Sequence, residues 1–258
     1  MTVVVALLAG LAIGVSLGLL GGGGSILAVP ALVYLLDQPI DAAVPTSLLV
    51  VGTASVGGAV AHARGGDVRW KTAVGFALPG LATSFAGAWV NSRLDQDVLL
   101  LVFAGLMVVV ALHMLFGNDH QPSDGEPRFT GATRLIVAGL AGALVGFLTG
   151  LLGVGGGFLI VPALLLTLQL PMAVAVGTSL VVILANSVAG FAANVSGAEI
   201  DLPIAVAFIL GGLVGAVPGS RLAPRLDEDR LRIGFAVFIL VVAAFVVVEV
   251  AFLGGATR

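Results

Sequence analysis

The chain has 258 residues, of which 59% are hydrophobic and 10% are charged; its mean hydropathy is +1.18 and its net charge is −3. Soluble domains usually carry about a quarter charged residues, so this composition excludes an ordinary cytosolic enzyme. Its high hydrophobicity also excludes a disordered chain. There is no basic excess to attract nucleic acid and no cysteine for a disulfide or a thiolate metal site. A polytopic membrane protein is the class that remains.

Ten apolar segments follow one another along the chain, five on each side of a single polar stretch. They cover residues 2–20, 25–36, 42–61, 71–90 and 98–116, and then 134–152, 157–169, 173–194, 202–220 and 231–253. All are apolar on every face, which favours helices over the alternating strands of a β-barrel. We therefore predict an all-α membrane protein with a first repeat at 1–116, a polar cytoplasmic linker at 117–133 and a second repeat at 134–258.

The two sets of segments are copies of each other at a constant spacing of 132 residues, the distance from Gly18 to Gly150. The match needs no gap from Gly14 to Phe103. Residue pairs that rarely agree by chance also match: Pro30 with Pro162, Thr46-Ser47 with Thr178-Ser179, and Arg93-Leu94-Asp95 with Arg225-Leu226-Asp227. This self-similarity indicates an internal duplication.

Basic residues of short loops stay on the cytoplasmic side of a membrane, and here they occupy opposite loops in the two halves. The loop between segments three and four carries Arg64, Arg69 and Lys71, whereas the charges of its copy are all acidic. The loop between segments four and five carries one arginine, and its copy carries four. This bias predicts repeats of inverted topology, which need an odd number of crossings each. Five crossings satisfy this, as do three crossings beside a re-entrant hairpin; we favour five.

A glycine run separates the first and second segments of each half, at residues 21–24 and 153–157. Each run opens a segment of about 12 residues, which as a helix extends only ~18 Å against a hydrocarbon core of ~30 Å. Broken segments at matching places in inverted repeats mark the substrate site of secondary transporters, and N–H groups at a helix start favour anions. Close helix packing is the alternative role for single glycines. The predicted anion site includes Gly22, Gly23, Gly24, Ser25, Gly155, Gly156 and Gly157.

A helix-breaking residue followed by two hydroxyl residues stands near the start of the third segment of each half, at Pro45-Thr46-Ser47 and Gly177-Thr178-Ser179. The arrangement is typical of a helix cap, and its hydroxyls also suit an oxyanion. Asn186 stands where the first half has Ala54, and a side-chain amide inside a membrane predicts a cavity or a polar partner. These interpretations add five residues to the predicted anion site: Thr46, Ser47, Thr178, Ser179 and Asn186.

Charged side chains avoid the middle of the segments. His62, His113 and Glu249 lie toward segment ends, where we expect them to reach the membrane interface. Because no catalytic pair or ligand cluster lies at depth, the sequence argues against an intramembrane enzyme, a metal site and a cofactor. An anion would then be held by amides and hydroxyls alone.

The order of three motifs is distinctive: Gly-Leu-Leu-Gly-x-Gly-Gly, then Val-Pro-Ala-Leu, then Gly-Thr-Ser-Leu-Val-Val, complete at 150–164 and 177–182. In this order the chain resembles the sulfite exporter TauE/SafE family of membrane transporters. The first half departs from the pattern at Pro45, where the second half has Gly177. The resemblance implies transport of small sulfur-containing anions, such as sulfite or organosulfonates, across the cytoplasmic membrane.

Together these features predict a multi-pass protein of the cell membrane, surrounded by the lipid bilayer, that exports small inorganic or organic sulfur oxyanions by alternating access. An anion channel is an alternative, and so is a membrane assembly partner that transports nothing. Nucleic acid is not a predicted partner. The sequence leaves open whether the protein forms a homo-oligomer.

Overall fold

A computed structural model describes residues 2–91, 93, 96–116, 131–152, 157–194, 200–223 and 226–252. The helices are α1 (Thr2–Leu20), α2 (Ser25–Pro30), α3 (Ile40–Gly65), α4 (Trp70–Asn91), α5 (Gln96–Phe116), α6 (Gly131–Leu152), α7 (Gly157–Leu168), α8 (Met172–Asn194), α9 (Leu202–Leu222) and α10 (Glu228–Phe252). A 3-10 turn at Gly21–Gly24 joins α1 to α2, and a π-helical stretch at Ala31–Leu35 extends α2.

Helices occupy all ten predicted segments, which confirms the prediction of an all-α polytopic membrane protein. Within the described ranges, seven helical stretches are long and apolar enough to cross a membrane, and the first of them is Thr2–Leu35. The main boundary difference is at α6, which begins at Gly131 instead of residue 134. The rest of the predicted linker, residues 117–130, lies outside the described residues.

The outer faces of the helices carry large apolar side chains. Phe85, Val109 and Leu140 are each more than 60% exposed, and similar residues surround the bundle. Such a continuous apolar surface is unfavourable in water and matches the hydrocarbon of a bilayer, in which helices satisfy their own backbone hydrogen bonds. The exposed surface therefore agrees with a multi-pass membrane protein.

Two pairs of helices, α1 with α9 and α4 with α6, pack backbone to backbone through glycine. A Cβ added at Gly14 would overlap the carbonyl oxygen of Gly212, and one at Gly146 would overlap that of Gly80. The contacts advance in the same direction along both helices, since Gly10 lies against Phe208 and Gly18 against Ala216 in the first pair. Each pair is therefore parallel. Small residues at four-residue spacing permit this approach.

Helices α3 and α8, which the 132-residue spacing relates, run antiparallel through the centre of the bundle. Leu48 of α3 lies against Gly190, and ten residues later Gly58 lies against Leu180. The two contacts are equivalent in the duplication, because Leu48 corresponds to Leu180 and Gly58 corresponds to Gly190. The opposite directions of equivalent helices support the inverted duplication, which remains a prediction.

Most of the basic residues that the structure describes lie at one end of the bundle. The end of α1 meets the end of α9, where Gly18 lies against Ser220 next to Arg221. His62, near the end of α3, reaches the carbonyl oxygen of Gly18, and a short loop leads from α3 to α4. Helix α6 begins beside the start of α4, because Gly75 contacts Leu135. The cations at this end include Arg64, Arg69, Lys71, Arg134 and Arg221.

Thr83 supplies a hydrogen bond between α4 and α6: its Oγ1 donates to the carbonyl oxygen of Ala143 at 2.6 Å. We expect Thr83→Val to lower the free energy of unfolding by about 0.6 kcal/mol, the average for such bonds inside membranes. Thermal unfolding in detergent measures the change. Thr167→Val is the matched control, because the Thr167 hydroxyl bonds to Ala163 within its own helix. Equal shifts in both variants would contradict the expectation.

Candidate functional site

We call the glycine runs at 21–24 and 153–157 the first and the second break. The first break begins at Gly21, whose φ of +65° ends α1. Side chains other than hydrogen disfavour this left-handed conformation. The 3-10 turn that follows is buried, and at Gly24 the chain has folded back against α1, so that an added Cβ would lie 2.7 Å from the carbonyl oxygen of Ile13. A Cβ added at Gly23 would lie 3.2 Å from the phenyl ring of Phe235. This contact with an aromatic ring favours close packing over anion binding as the role of Gly23.

The two breaks meet each other inside the bundle. A Cβ at Gly22 would overlap the backbone of Gly157, the first residue of α7. Ser25 also lies against Gly157, and the 132-residue spacing relates these two positions. The Ser25 hydroxyl donates to the carbonyl oxygen of Gly22 at 2.6 Å. In this conformation the described parts of the breaks touch directly and leave no room for an anion between Gly22 and Gly157. The predicted site residues Gly155 and Gly156 lie outside the described residues.

The Thr-Ser pair of the second half lies beside the break of the first half. Ser179 is fully buried, and its Oγ lies 2.6 Å from the Cβ position of Gly21. The Ser179 hydroxyl donates to Val176 within α8 at 2.8 Å. Thr178 Oγ1 accepts a hydrogen bond from the backbone N–H of Arg69 at 3.1 Å. Thr178 therefore fastens the α3–α4 loop to the start of α8.

The Thr-Ser pair of the first half lies at the other end of the α3–α8 contact. Thr46 and Ser47 are buried, and Ser47 donates to Val44 within α3 at 2.7 Å. Because α3 and α8 are antiparallel, some twelve residues of helix separate the two pairs, which is about 18 Å. The structure thus does not bring the four hydroxyls into one cluster.

Between the two pairs, the centre of the α3–α8 contact carries polar groups. Asn186 is half-buried in α8, and its neighbour Ser187 lies 3.1 Å from the Cβ position of Gly52. Ser55, the 132-residue counterpart of Ser187, is fully buried, and its hydroxyl has no hydrogen-bond partner among the described residues. An unsatisfied hydroxyl inside a protein is costly. The predicted anion site did not include Ser55 or Ser187. The occurrence of serine at both equivalent positions was the signal in the sequence that could have identified them.

The expectation that His62 reaches the membrane interface is wrong. His62 is 1% exposed, and its Nε2 lies 3.4 Å from the carbonyl oxygen of Gly18. Its Nδ1 is 3.7 Å from the Asp67 carboxylate, too long for a hydrogen bond. The reason for the burial is the α3–α4 loop, which folds back as the Asp67 N–H bonds the His62 carbonyl oxygen at 3.0 Å.

The same loop explains why the two halves differ at the start of their third segments. A Cβ at Gly177 would lie 2.6 Å from the Asp67 carbonyl oxygen and 2.9 Å from the Cβ of His62. Only glycine leaves space for the loop at this point. The first half has Pro45 at the matching position. The departure from sequence symmetry is therefore a packing requirement of the second half.

Comparison with known proteins finds one matching family and several similar membrane proteins. The profile of the family described as sulfite exporter TauE/SafE matches residues 6–246. A probable membrane transporter protein of Xylella fastidiosa is 38% identical over 241 residues, which cover 91% of each chain. Probable membrane transporter proteins of Bacillus subtilis and Methanocaldococcus jannaschii are 29% and 27% identical, over 85% and 93% of this chain and 90% and 93% of theirs. The family match thus extends from α1 into α10.

Proposed function

This chain belongs to the sulfite exporter TauE/SafE family and is a membrane transporter, and from that premise we propose that it exports small sulfur-containing anions, such as sulfite or organosulfonates, by alternating access. One observation carries the proposal. The two broken segments, one from each half, meet deep in the bundle, where Gly22 and Ser25 pack on Gly157. In transporters built from inverted repeats, broken helices of this kind surround the substrate near the middle of the membrane.

Movement of the two breaks relative to each other would open the binding site. Gly22 and Gly157 touch in the described conformation, so an anion needs them to separate. The first turn of a helix leaves N–H groups without intrahelical partners, and after separation those of Gly22 and its neighbours would face the gap. Such amides at the positive end of a helix favour an anion. Ser179, which lies against Gly21, would add a hydroxyl.

The distribution of cations supports one direction of the chain in the membrane. Because Arg64, Lys71, Arg134 and Arg221 are at one end of the bundle, that end would be cytoplasmic under the positive-inside rule. Helix α6 starts at this end, so the linker before it would lie in the cytoplasm and α1 would start outside. The charges and the antiparallel α3 and α8 thus support an odd number of crossings in each half, and of the two odd-numbered arrangements we keep five.

Anion flux into proteoliposomes tests the proposed function. Sulfite and sulfoacetate should be taken up with saturable kinetics, whereas a channel would give flux that rises linearly with concentration. Ser179→Ala should raise the KM severalfold, because it removes a hydroxyl beside the first break while costing one intrahelical bond. Ser84→Ala is the control, since Ser84 makes the same bond within α4 at 2.7 Å. Absence of saturable flux for any sulfur oxyanion would rule out the proposal.

A further inference from the structure

A groove of about 360 Å³ lies on the outside of the bundle between α3 and α8. Val56, Ala59 and Val60 of α3 line one side, and Val181 and Leu184 of α8 line the other. Val56 and Val60 are exposed on the apolar outer surface, so in a membrane the groove opens to lipid. The volume is at the small end for ligand pockets, which span roughly 300–1,000 Å³. It would hold a stretch of one acyl chain rather than a whole lipid.

Two interfacial side chains close the cytoplasmic end of this groove: Arg64 at the end of α3 and Trp70 at the start of α4. Both are exposed, and no ion pair within the described part of the chain includes Arg64. An indole ring prefers the headgroup level of a bilayer. The groove therefore joins an apolar side, formed by α3 and α8, to an exposed cation at one end, as a lipid joins an acyl chain to a phosphate.

Further cations surround Arg64 and raise the local positive potential. Arg69 and Lys71 are exposed on the same loop and helix start, and Arg134 of α6 is close to Arg69. Asp67 is the acidic residue within this stretch, and its carboxylate lies toward His62. Basic pockets between transmembrane helices on the cytoplasmic side attract anionic headgroups. A zwitterionic lipid brings its own ammonium group and gains less from this field.

From the groove and its cationic end we propose that α3 and α8 form a binding site for an anionic phospholipid. One acyl chain lies along Val56, Val60 and Leu184, and the phosphate of the headgroup contacts Arg64 beside Trp70. The site is separate from the breaks at Gly22 and Gly157, and it does not depend on which anion the protein transports.

Native mass spectrometry of the purified full-length protein in detergent tests this site. Dioleoylphosphatidylglycerol should bind severalfold more tightly than dioleoylphosphatidylcholine. Arg64→Gln should weaken phosphatidylglycerol binding about fivefold, the effect expected for one cation near a membrane surface. Val60→Trp, which fills the groove from its exposed side, should weaken binding of both lipids. Glycerol 3-phosphate, which carries the charge without acyl chains, should not displace the bound lipid.

Arg221→Gln is the matched control, because Arg221 is an exposed cation at the same end of the bundle that does not line the groove. It should bind both lipids as the parent protein does. Equal losses in Arg64→Gln and Arg221→Gln would overturn the proposal in favour of general charge attraction. Unchanged binding by Val60→Trp, or equal affinities for the two lipids, would overturn it as well.

Discussion

A disulfide between positions 25 and 157 should stop transport. The variant is Ser25→Cys with Gly157→Cys, and the chain has no other cysteine that could react. The Cβ of Ser25 lies 3.3 Å from the Cβ position of Gly157, close to the separation of about 3.5–4.5 Å in disulfides. Because the bond would hold the two breaks together, we expect at least a tenfold loss of sulfite flux under oxidation. Reduction with dithiothreitol should restore the flux.

The single variants Ser25→Cys and Gly157→Cys control for the substitutions themselves, and their flux should not respond to oxidant. Cross-linking is followed separately, by the change in electrophoretic mobility of the oxidised protein. Full flux in a completely cross-linked sample would show that the breaks do not separate during transport. That result would contradict alternating access at this point while leaving family membership untouched.

Bulky substitutions in the two parallel helix pairs should prevent folding. Gly14→Leu and Gly146→Leu place side chains where the carbonyl oxygens of Gly212 and Gly80 lie, so the helices would have to move apart along their full contact. We expect more than a tenfold loss of monodisperse protein on size-exclusion chromatography. The milder Gly146→Ala should cost about 1–3 kcal/mol, which lowers the unfolding midpoint by roughly 2–12 °C.

Gly105 and Gly234 provide controls of the same residue type, because among the described residues no atom outside the adjacent turns of the same helix lies within 4 Å of a Cβ at either position. Gly105→Ala and Gly234→Ala should match or slightly exceed the parent protein in stability, since alanine favours helix more than glycine does. A loss in these variants as large as that in Gly146→Ala would mean that backbone contact is not the cause.

The helices were predictable from sequence because each is a long apolar run bounded by polar or breaking residues. The break at Gly21 was predictable for a related reason, since four glycines in succession cannot continue a stable helix. The four-residue spacing of Gly10, Gly14 and Gly18 was also a signal for close helix contact. Its partner helix could not be found from the spacing, because any glycine-containing helix of the chain would fit.

The arrangement of the hydroxyl pairs was not predictable, because it depends on how two distant helices cross. Thr46 and Thr178 look equivalent in sequence, yet their helices are antiparallel and hold them far apart. His62 illustrates a second limit. Its place near a segment end suggested exposure, but a loop held by Thr178 from the other half covers it. Contacts between residues far apart in sequence decide both outcomes.

The parallel pairing of α1 with α9 has a consequence for biosynthesis. Helix α1 meets its partner only once α9 has been translated, because Leu7 and Leu11 lie against Gly211. Until then its glycine face is exposed to lipid. Both glycine-lined pairs join the two halves, since α1 and α4 of the first half pack on α9 and α6 of the second. We therefore expect the two halves to reach their final packing together, after α9 has entered the bilayer.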